Sequence, residues 1–182
     1  MPLFTKEPRL KKISRGGKYF FLALDQGLEH GPVDFDEKTI DPEYIANLST
    51  KMNITGFIMQ KGLALRYKEN FIKKVPLIVK LNGKTNLLKG DPFSPQITSV
   101  KDAVRMGADA IGYTIYAGSK HEDIMFETFG RIEEEARDYK IPVILWSYPR
   151  GSSVKNPTSP DTINYAARIA LELGADITKI HY

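Results

Sequence analysis

The chain has 182 residues, of which 42% are hydrophobic and 26% charged, with a formal net charge of +4. These values are typical of one folded globular domain and exclude a disordered chain. The chain contains no cysteine, which excludes disulfides, cysteine metal ligands and thiolate catalysis. No apolar run approaches the roughly 20 residues of a membrane helix, and the N-terminus lacks an apolar leader segment. We therefore expect a cytoplasmic protein with no membrane partner.

Part of the positive charge is concentrated in the first 18 residues. A basic segment of this kind is compatible with nucleic-acid binding. No nucleic-acid-binding motif follows it, so we interpret it as a solvated surface and expect no nucleic-acid partner. A mildly basic enzyme also suits anionic, phosphorylated substrates. The basic residues of the segment are Lys6, Arg9, Lys11, Lys12, Arg15 and Lys18.

Six short apolar runs recur along the chain, and each is too short for a helix and too apolar for a half-exposed strand. Such runs are typical of buried parallel strands. We predict strands at YFFLALD (19–25), ITGFIMQ (54–60), PLIVKLN (76–82), AIGYTIY (110–116), PVILWSY (142–148) and DITKIHY (176–182).

Amphipathic segments between these runs predict helices, which we place at 41–52, 99–107, 121–140 and 159–174. The phrase GAD occurs twice, in MGADAIGY (106–113) and LGADITKI (173–180). Each occurrence predicts a glycine that ends a helix, a short turn and a new strand, which is the repeating junction of serial βα units. The longest irregular region, 82–96, is predicted to be a loop on the active-site side or a short hairpin.

Six strands about thirty residues apart predict a (β/α)8 TIM barrel. A complete barrel of this kind has about 250 residues, so the chain is expected to be a single incomplete barrel domain, 1–182, truncated after strand six. The competing fold is a doubly wound open sheet, which would be complete at this length. That fold normally carries a G-x-G-x-x-G turn after strand one, and DQGLEHGP lacks this spacing and is not expected to lead directly into a helix.

In a barrel, catalytic side chains lie at the carboxyl ends of the strands. Several polar and aromatic residues stand there in this sequence. They are Asp25 with Gln26, Glu29 and His30, then Gln60, Lys61, Lys80, Asn82, Tyr113, Tyr116, Trp146, Tyr148, Arg150 and Lys179.

Two of these residues, Lys179 and Lys80, are lysines within apolar strands. A desolvated lysine must pair or lose its proton, and the neutral amine can attack a carbonyl carbon to form a Schiff base. That chemistry also needs a proton shuttle and a nearby carboxylate, which Tyr148 and Asp25 can supply. From spacing alone, both lysines remain candidate nucleophiles, although a lone lysine at a strand end is more often an ion-pair partner. Trp146 and Tyr148 share one face of their strand.

Five stretches together resemble the archaeal-type class I fructose-bisphosphate aldolases, a Schiff-base family that includes the DhnA-type aldolases. WSYPRG and D-x-G-x-E-H-G-P are the most specific motifs. The resemblance covers the chain nearly end to end, in ALDQGLEHGPVDF (23–35), KLNGKT (80–85), GADAIGYTIYAGS (107–119), PVILWSYPRG (142–151) and AARIALELGADITKIHY (166–182).

The resemblance implies catalytic roles for Lys179 as the Schiff-base lysine, Tyr148 as the general acid/base and Asp25 as the carboxylate beside the Schiff base. It implies that Trp146 contacts the substrate. The implied reaction is reversible cleavage of fructose 1,6-bisphosphate to dihydroxyacetone phosphate and glyceraldehyde 3-phosphate, with no metal and no cofactor.

Two departures from the family pattern stand out. Gln26 replaces the histidine of a D-H-G motif, and the glycine-rich loops of strands seven and eight, which hold a substrate phosphate in the family, do not follow Lys179. We therefore expect weak or no activity from the isolated chain unless a homo-oligomer or a complementary C-terminal chain completes it.

Two alternative functions remain open. One is a related Schiff-base synthase that makes 2-amino-3,7-dideoxy-threo-hept-6-ulosonate. The other is a non-catalytic fragment or subunit that acts by association, although the joint presence of Asp25, Tyr148 and Lys179 argues against it.

Overall fold

The computed structural model describes residues 5–181, in which six strands form one parallel sheet that follows chain order. A sheet whose strand order never reverses has the winding of a (β/α)8 barrel, whereas a doubly wound sheet reverses at a switch point. The barrel prediction is therefore confirmed over these six strands. They are β1 (Phe21–Leu24), β2 (Gly56–Gln60), β3 (Leu77–Lys80), β4 (Ala110–Ala117), β5 (Val143–Pro149) and β6 (Ile177–Lys179).

All six predicted strands are present, but burial differs between the inner and outer ones. Strands β2, β3 and β4 are buried at every position, and β5 at all but one. The expectation of full burial was wrong for β1 and β6, which are only partly buried. Each of these two has a strand partner on one side only within residues 5–181.

The four predicted helices are confirmed, with bounds one to three residues tighter, and three more were missed. Two of the confirmed helices are capped by serine, because Ser99 and Ser159 accept hydrogen bonds from the third following amide. The helices are α1 (Glu7–Lys12), α2 (Gln26–Glu29), α3 (Pro42–Ser49), α4 (Lys61–Tyr67), α5 (Val100–Arg105), α6 (Glu122–Asp138) and α7 (Pro160–Glu172), with 3-10 turns at Pro32–Asp34 and Lys68–Asn70. Helix α2 corrects the expectation that no helix directly follows Asp25.

Side chains of the sheet alternate between the helix layer and the barrel interior. Helix-facing positions such as Phe57, Val79 and Ile111 join the larger hydrophobic cluster, which includes residues of the surrounding helices. The alternate positions face inward, where they form a second cluster with helix α1 and the residue after it. Its buried members are Ile13, Ile58, Ile78, Ala110, Ile144 and Trp146.

The basic N-terminal segment is solvated only in part: Lys11, Lys12, Arg15 and Lys18 are exposed, as interpreted, whereas Lys6 and Arg9 are partly buried. Ile13 is 0% exposed and packs in the interior cluster. Lys6 and Lys12 form ion pairs of 2.8 and 2.7 Å with Asp176 and Asp109. These charges fasten the segment across the amino-terminal end of the sheet. Residues 1–4 of the segment, like Tyr182, lie outside the described residues.

The two GAD junctions have the same geometry. Gly107 and Gly174 have φ values of +87° and +89°, which favour glycine. In both junctions the amide of the residue after the glycine donates a hydrogen bond of 3.1 Å to the carbonyl five residues before it. The pairs are Ala108 with Ala103 and Ala175 with Ala170. This is the Schellman closure of a helix. The predicted repeat is confirmed. Its two aspartates, Asp109 and Asp176, form the ion pairs with Lys12 and Lys6 described above.

The predicted irregular region 82–96 is a loop at the carboxyl end of β3, closed by a single antiparallel bridge between Asn82 and Gln96. The Asp91 carboxylate accepts hydrogen bonds from the Ser152 and Lys120 amides at 2.7 and 3.0 Å. These bonds lower the pKa of Asp91 against an opposing effect of burial. The loop is thereby tied to the segments after β4 and β5.

Candidate active site

Inward-facing residues at the carboxyl ends of the strands converge on one site. Strand register places Gln60 beside Lys80, and Trp146 beside Lys179. The Trp146 ring leans across Gly112 of the intervening strand, and the Lys80 Nζ lies 4.8 Å from the ring centroid. Side chains from β2, β3, β5 and β6 thus lie near one another, with the Trp146 ring crossing β4 at Gly112.

Lys179 lies next to Tyr148. Its Nζ donates a hydrogen bond to the Tyr148 hydroxyl oxygen and lies 4.8 Å from that ring centroid. Lys179 is exposed as a residue, which corrects the expectation of a sheet-interior position. Partial burial of its amine nevertheless lowers the pKa of Lys179, aided by the positive charges of Lys80 and Arg150 and opposed by Asp25 and Glu29. Lowering this pKa increases the fraction of neutral, nucleophilic amine.

Lys80, the rival nucleophile, has a different environment. Its side chain is 1% exposed, and its Nζ lies 3.2 Å from Asp25 and 3.4 Å from Glu29. An ammonium that is paired with two carboxylates has no free electron pair for attack on a carbonyl. The geometry favours Lys179 over Lys80 as the nucleophile.

Tyr148 is half-buried in the site, and burial raises its pKa to about 12. The carboxylates of Asp25 and Glu29 add to this rise, while the Arg150 guanidinium opposes it from 5.2 Å above the ring centroid. At neutral pH Tyr148 is therefore a protonated phenol that can donate a proton.

Asp25 follows β1 directly and begins α2. Its carboxylate bonds Lys80, and within residues 5–181 no hydrogen bond joins it to Lys179. Asp25 therefore acts on Lys179 through charge at a distance in this state of the site.

Three further inward-facing side chains have no role in the sequence analysis. Gln60 and Tyr116 were only placed at strand ends, and Thr114 was not named. The side-chain oxygens of Gln60, Thr114 and Tyr116 are buried and have no hydrogen-bond partner within residues 5–181. Burial raises the pKa of the Tyr116 hydroxyl, and the Glu29 charge adds to the rise. Strand alternation in β4 could have placed Thr114 and Tyr116 inward, since they are two residues apart.

Other candidates from the sequence lie elsewhere. Tyr113 points toward the helix layer, where its ring packs 5.8 Å from that of Phe129, and burial raises its pKa to about 12. His30 is exposed and hydrogen-bonded to Asp34 at 2.7 Å. Neither belongs to the cluster around Lys179.

Asn82 is the structural support of the site. Its side chain is buried and bonds the Thr114 amide and carbonyl, both at 2.8 Å, and the Ser94 carbonyl at 2.9 Å. It thus continues the β3–β4 pairing beyond the backbone ladder and fixes the base of the 82–96 loop.

Residues 5–181 contain no cluster of three or more histidine, aspartate or glutamate side chains arranged to hold a metal ion. None of their helices combines the length and apolar character needed to cross a membrane.

Comparison with known proteins identifies the family. Residues 19–182 match the DeoC/LacD family aldolase model. Over 178 residues the chain is 49% identical to the class 1 fructose-bisphosphate aldolase of Thermoproteus tenax, covering 97% of this chain and 66% of that protein. The corresponding protein of Halobacterium salinarum is 49% identical, with 93% of this chain and 65% of that protein covered. The chain thus spans just under two thirds of the length of these curated relatives.

A solved structure of an archaeal fructose-1,6-bisphosphate aldolase has its catalytic lysine covalently bound to the carbinolamine intermediate of the substrate. It superposes with a TM-score of 0.91 at 47% identity, covering 97% of this chain and 70% of that one. The likeness extends over the strands that carry the site described above. The chain belongs to the DeoC/LacD family of aldolases.

Proposed function

We propose that the chain carries the Schiff-base chemistry of a class I fructose-1,6-bisphosphate aldolase. The observation that supports this most directly is the Lys179 amine, which has a lowered pKa and is hydrogen-bonded to Tyr148 at the carboxyl ends of the strands. Active sites of this fold lie at that end. Lys179 is the proposed nucleophile, Tyr148 the proton donor and acceptor, Asp25 the nearby carboxylate and Trp146 a wall of the substrate pocket.

The first step is attack of the neutral Lys179 amine on the ketone carbon of the substrate, which gives a carbinolamine. The protonated Tyr148 hydroxyl donates a proton to the departing hydroxyl group, so that water leaves and an iminium forms. Because burial raises the pKa of Tyr148, the phenolate left behind is a strong base. We assign to this phenolate the removal of the proton from the C4 hydroxyl.

Loss of that proton drives cleavage of the C3–C4 bond. The bonding electrons flow into the iminium, which becomes an enamine, while the released half leaves as an aldehyde. The Asp25 carboxylate then stands near a nitrogen that is positive in the iminium, where a negative charge stabilises it. Protonation of the enamine and hydrolysis regenerate Lys179.

The names of the relatives favour fructose 1,6-bisphosphate as the substrate. Two are class 1 fructose-bisphosphate aldolases, and a Methanocaldococcus jannaschii relative at 41% identity is a fructose-bisphosphate aldolase/6-deoxy-5-ketofructose 1-phosphate synthase. None of these names is that of the alternative hept-6-ulosonate synthase. An anionic sugar phosphate also suits the positive charge of Arg150 at the edge of the site.

The proposal is tested by adding dihydroxyacetone phosphate and borohydride to the purified chain, followed by peptide mass mapping. We expect a reduced adduct on Lys179, none in Lys179→Met, and slower trapping in Tyr148→Phe. Folding of each variant is checked by circular dichroism. An adduct on Lys80, or none in a folded wild-type chain, contradicts the proposed site.

A further inference from the structure

Lys80 is a buried cation that the proposed reaction does not use. It bridges the Asp25 and Glu29 carboxylates, whose side chains are 14% and 16% exposed, and it lies over the Trp146 ring. Burial of an ion carries a large desolvation cost, which close opposite charges offset. A side chain that served only to fill this space would not need a charge.

The charged groups around Lys179 indicate what the positive charge of Lys80 does. Asp25 and Glu29 face it from the segment after β1, Lys80 from β3, and Tyr148 and Arg150 from β5 and the residue after it. The two carboxylates stabilise the protonated amine, whereas Lys80 and Arg150 disfavour it. Without Lys80, both carboxylates would lose the ion-pair partner that they have in the structure.

We propose that Lys80 is a positioning residue, whose fixed charge holds the Asp25 and Glu29 carboxylates in place and keeps the Lys179 amine neutral and nucleophilic. The proposal rests on the proposed function only in naming Lys179 as the nucleophile. The distribution of charge around Lys179 is a property of the folded chain and can be measured without substrate.

The test measures how fast acetic anhydride acetylates Lys179 between pH 6 and 10, by peptide mass mapping, in variants with altered charge. Only the neutral amine reacts, so the pH midpoint reports its protonation. Lys80→Met removes the positive charge and should raise the midpoint, slowing acetylation at pH 7 at least about threefold. Glu29→Gln should lower the midpoint and speed acetylation by a similar factor.

The double variant Lys80→Met/Glu29→Gln should react at a rate between those of the single variants. It removes one charge of each sign, so it also covers the case in which Lys80→Met alone does not fold. If both Lys80→Met variants unfold, Lys80→Gln replaces them, because it can still hydrogen-bond the two carboxylates but carries no charge, and it should raise the midpoint in the same way. Lys51→Met, an exposed lysine on the helix side, is the matched control and should leave the midpoint unchanged.

A purely structural role for Lys80 predicts an unchanged midpoint in folded Lys80→Met and a double variant that matches Glu29→Gln. Either result would overturn the proposal, as would a lower midpoint in Lys80→Met. An unchanged midpoint in Glu29→Gln is equally contrary. Borohydride trapping separates this inference from the proposed function. Shifted midpoints without a Schiff-base adduct would refute the function alone, and an adduct with unshifted midpoints would refute the role of Lys80 alone.

Discussion

Gly112 is the position at which one methyl group should disturb the site most directly. It pairs with Lys80 on β3 and with Ile144 on β5. A Cβ atom there would lie 2.5 Å from Trp146 Cζ3 and 3.2 Å from Lys80 Cδ. Carbon atoms pack best at roughly 3.5–4.0 Å, so in Gly112→Ala the Trp146 ring must move by about 1 Å.

The expected cost follows from two opposing effects. Overpacking a dense interior destabilises a protein by about 1–3 kcal/mol. Replacing glycine within a strand recovers roughly 0.5–1 kcal/mol of backbone entropy. The free energy of unfolding of Gly112→Ala should therefore fall by up to about 2.5 kcal/mol. Because the ring that moves is beside Lys80, Schiff-base trapping should slow by up to about a hundredfold.

Urea unfolding followed by circular dichroism measures the stability, and Trp146, the single tryptophan of the chain, reports the local change by its fluorescence. Gly130→Ala in α6 is the matched control. A Cβ there meets no atom within 4 Å, so helix propensity should stabilise that variant by about 0.5–1 kcal/mol. A Gly112→Ala protein with wild-type urea midpoint and unchanged Trp146 emission would refute the packing argument.

Three other predictions concern the N-cap of α7, the packing of Ile13 in the barrel interior and the pKa of Tyr148. Ser159→Ala removes the N-cap of α7 and should lower the free energy of unfolding by about 1 kcal/mol, whereas Ser159→Asp should retain most of it, as urea titration will show. Ile13→Ala should cost roughly 2–5 kcal/mol in the same assay, and a loss under 0.5 kcal/mol would mean that the segment after α1 does not close the interior. Titration followed by absorbance at 295 nm should show Tyr148 ionising near pH 12. This ionisation is identified as the part of the wild-type signal that is missing in Tyr148→Phe. Since the pKa of an unfolded tyrosine is about 10, this residue's contribution to stability is lost as pH rises from 10 to 12.

Much of the barrel could be predicted from local patterns. The apolar runs located six strands because a strand covered on both faces needs apolar residues at odd and at even positions. The GAD phrases located two helix ends because glycine favours the positive φ at which Gly107 and Gly174 lie. The same reasoning did not predict how the N-terminal segment packs. Its many basic residues concealed Ile13, and the partners of Lys6 and Lys12 are more than 90 residues away in sequence.

The site was predictable in composition but not in arrangement. Asp25, Trp146, Tyr148 and Lys179 do lie at the strand ends, as the fold requires. What sequence could not supply was the tilt of the Trp146 ring over Gly112, which brings it to Lys80. Such contacts depend on side-chain conformation across three strands, and no local pattern encodes them.

Lys80 and Lys179 show why residue type and spacing cannot assign a nucleophile. Both are inward-facing lysines at strand ends, yet their surroundings give them opposite properties. Lys80 has two carboxylates within 3.4 Å and 1% exposure, so its charge is neutralised in place. Lys179 has a neutral phenol as its nearest partner, and partial burial disfavours its charged form. On the role proposed for Lys80, a second cation nearby makes it easier still to remove that proton, so the proposed nucleophilicity of Lys179 depends on both lysines. A search for Schiff-base sites in related chains should therefore look for two lysines, one paired and one not.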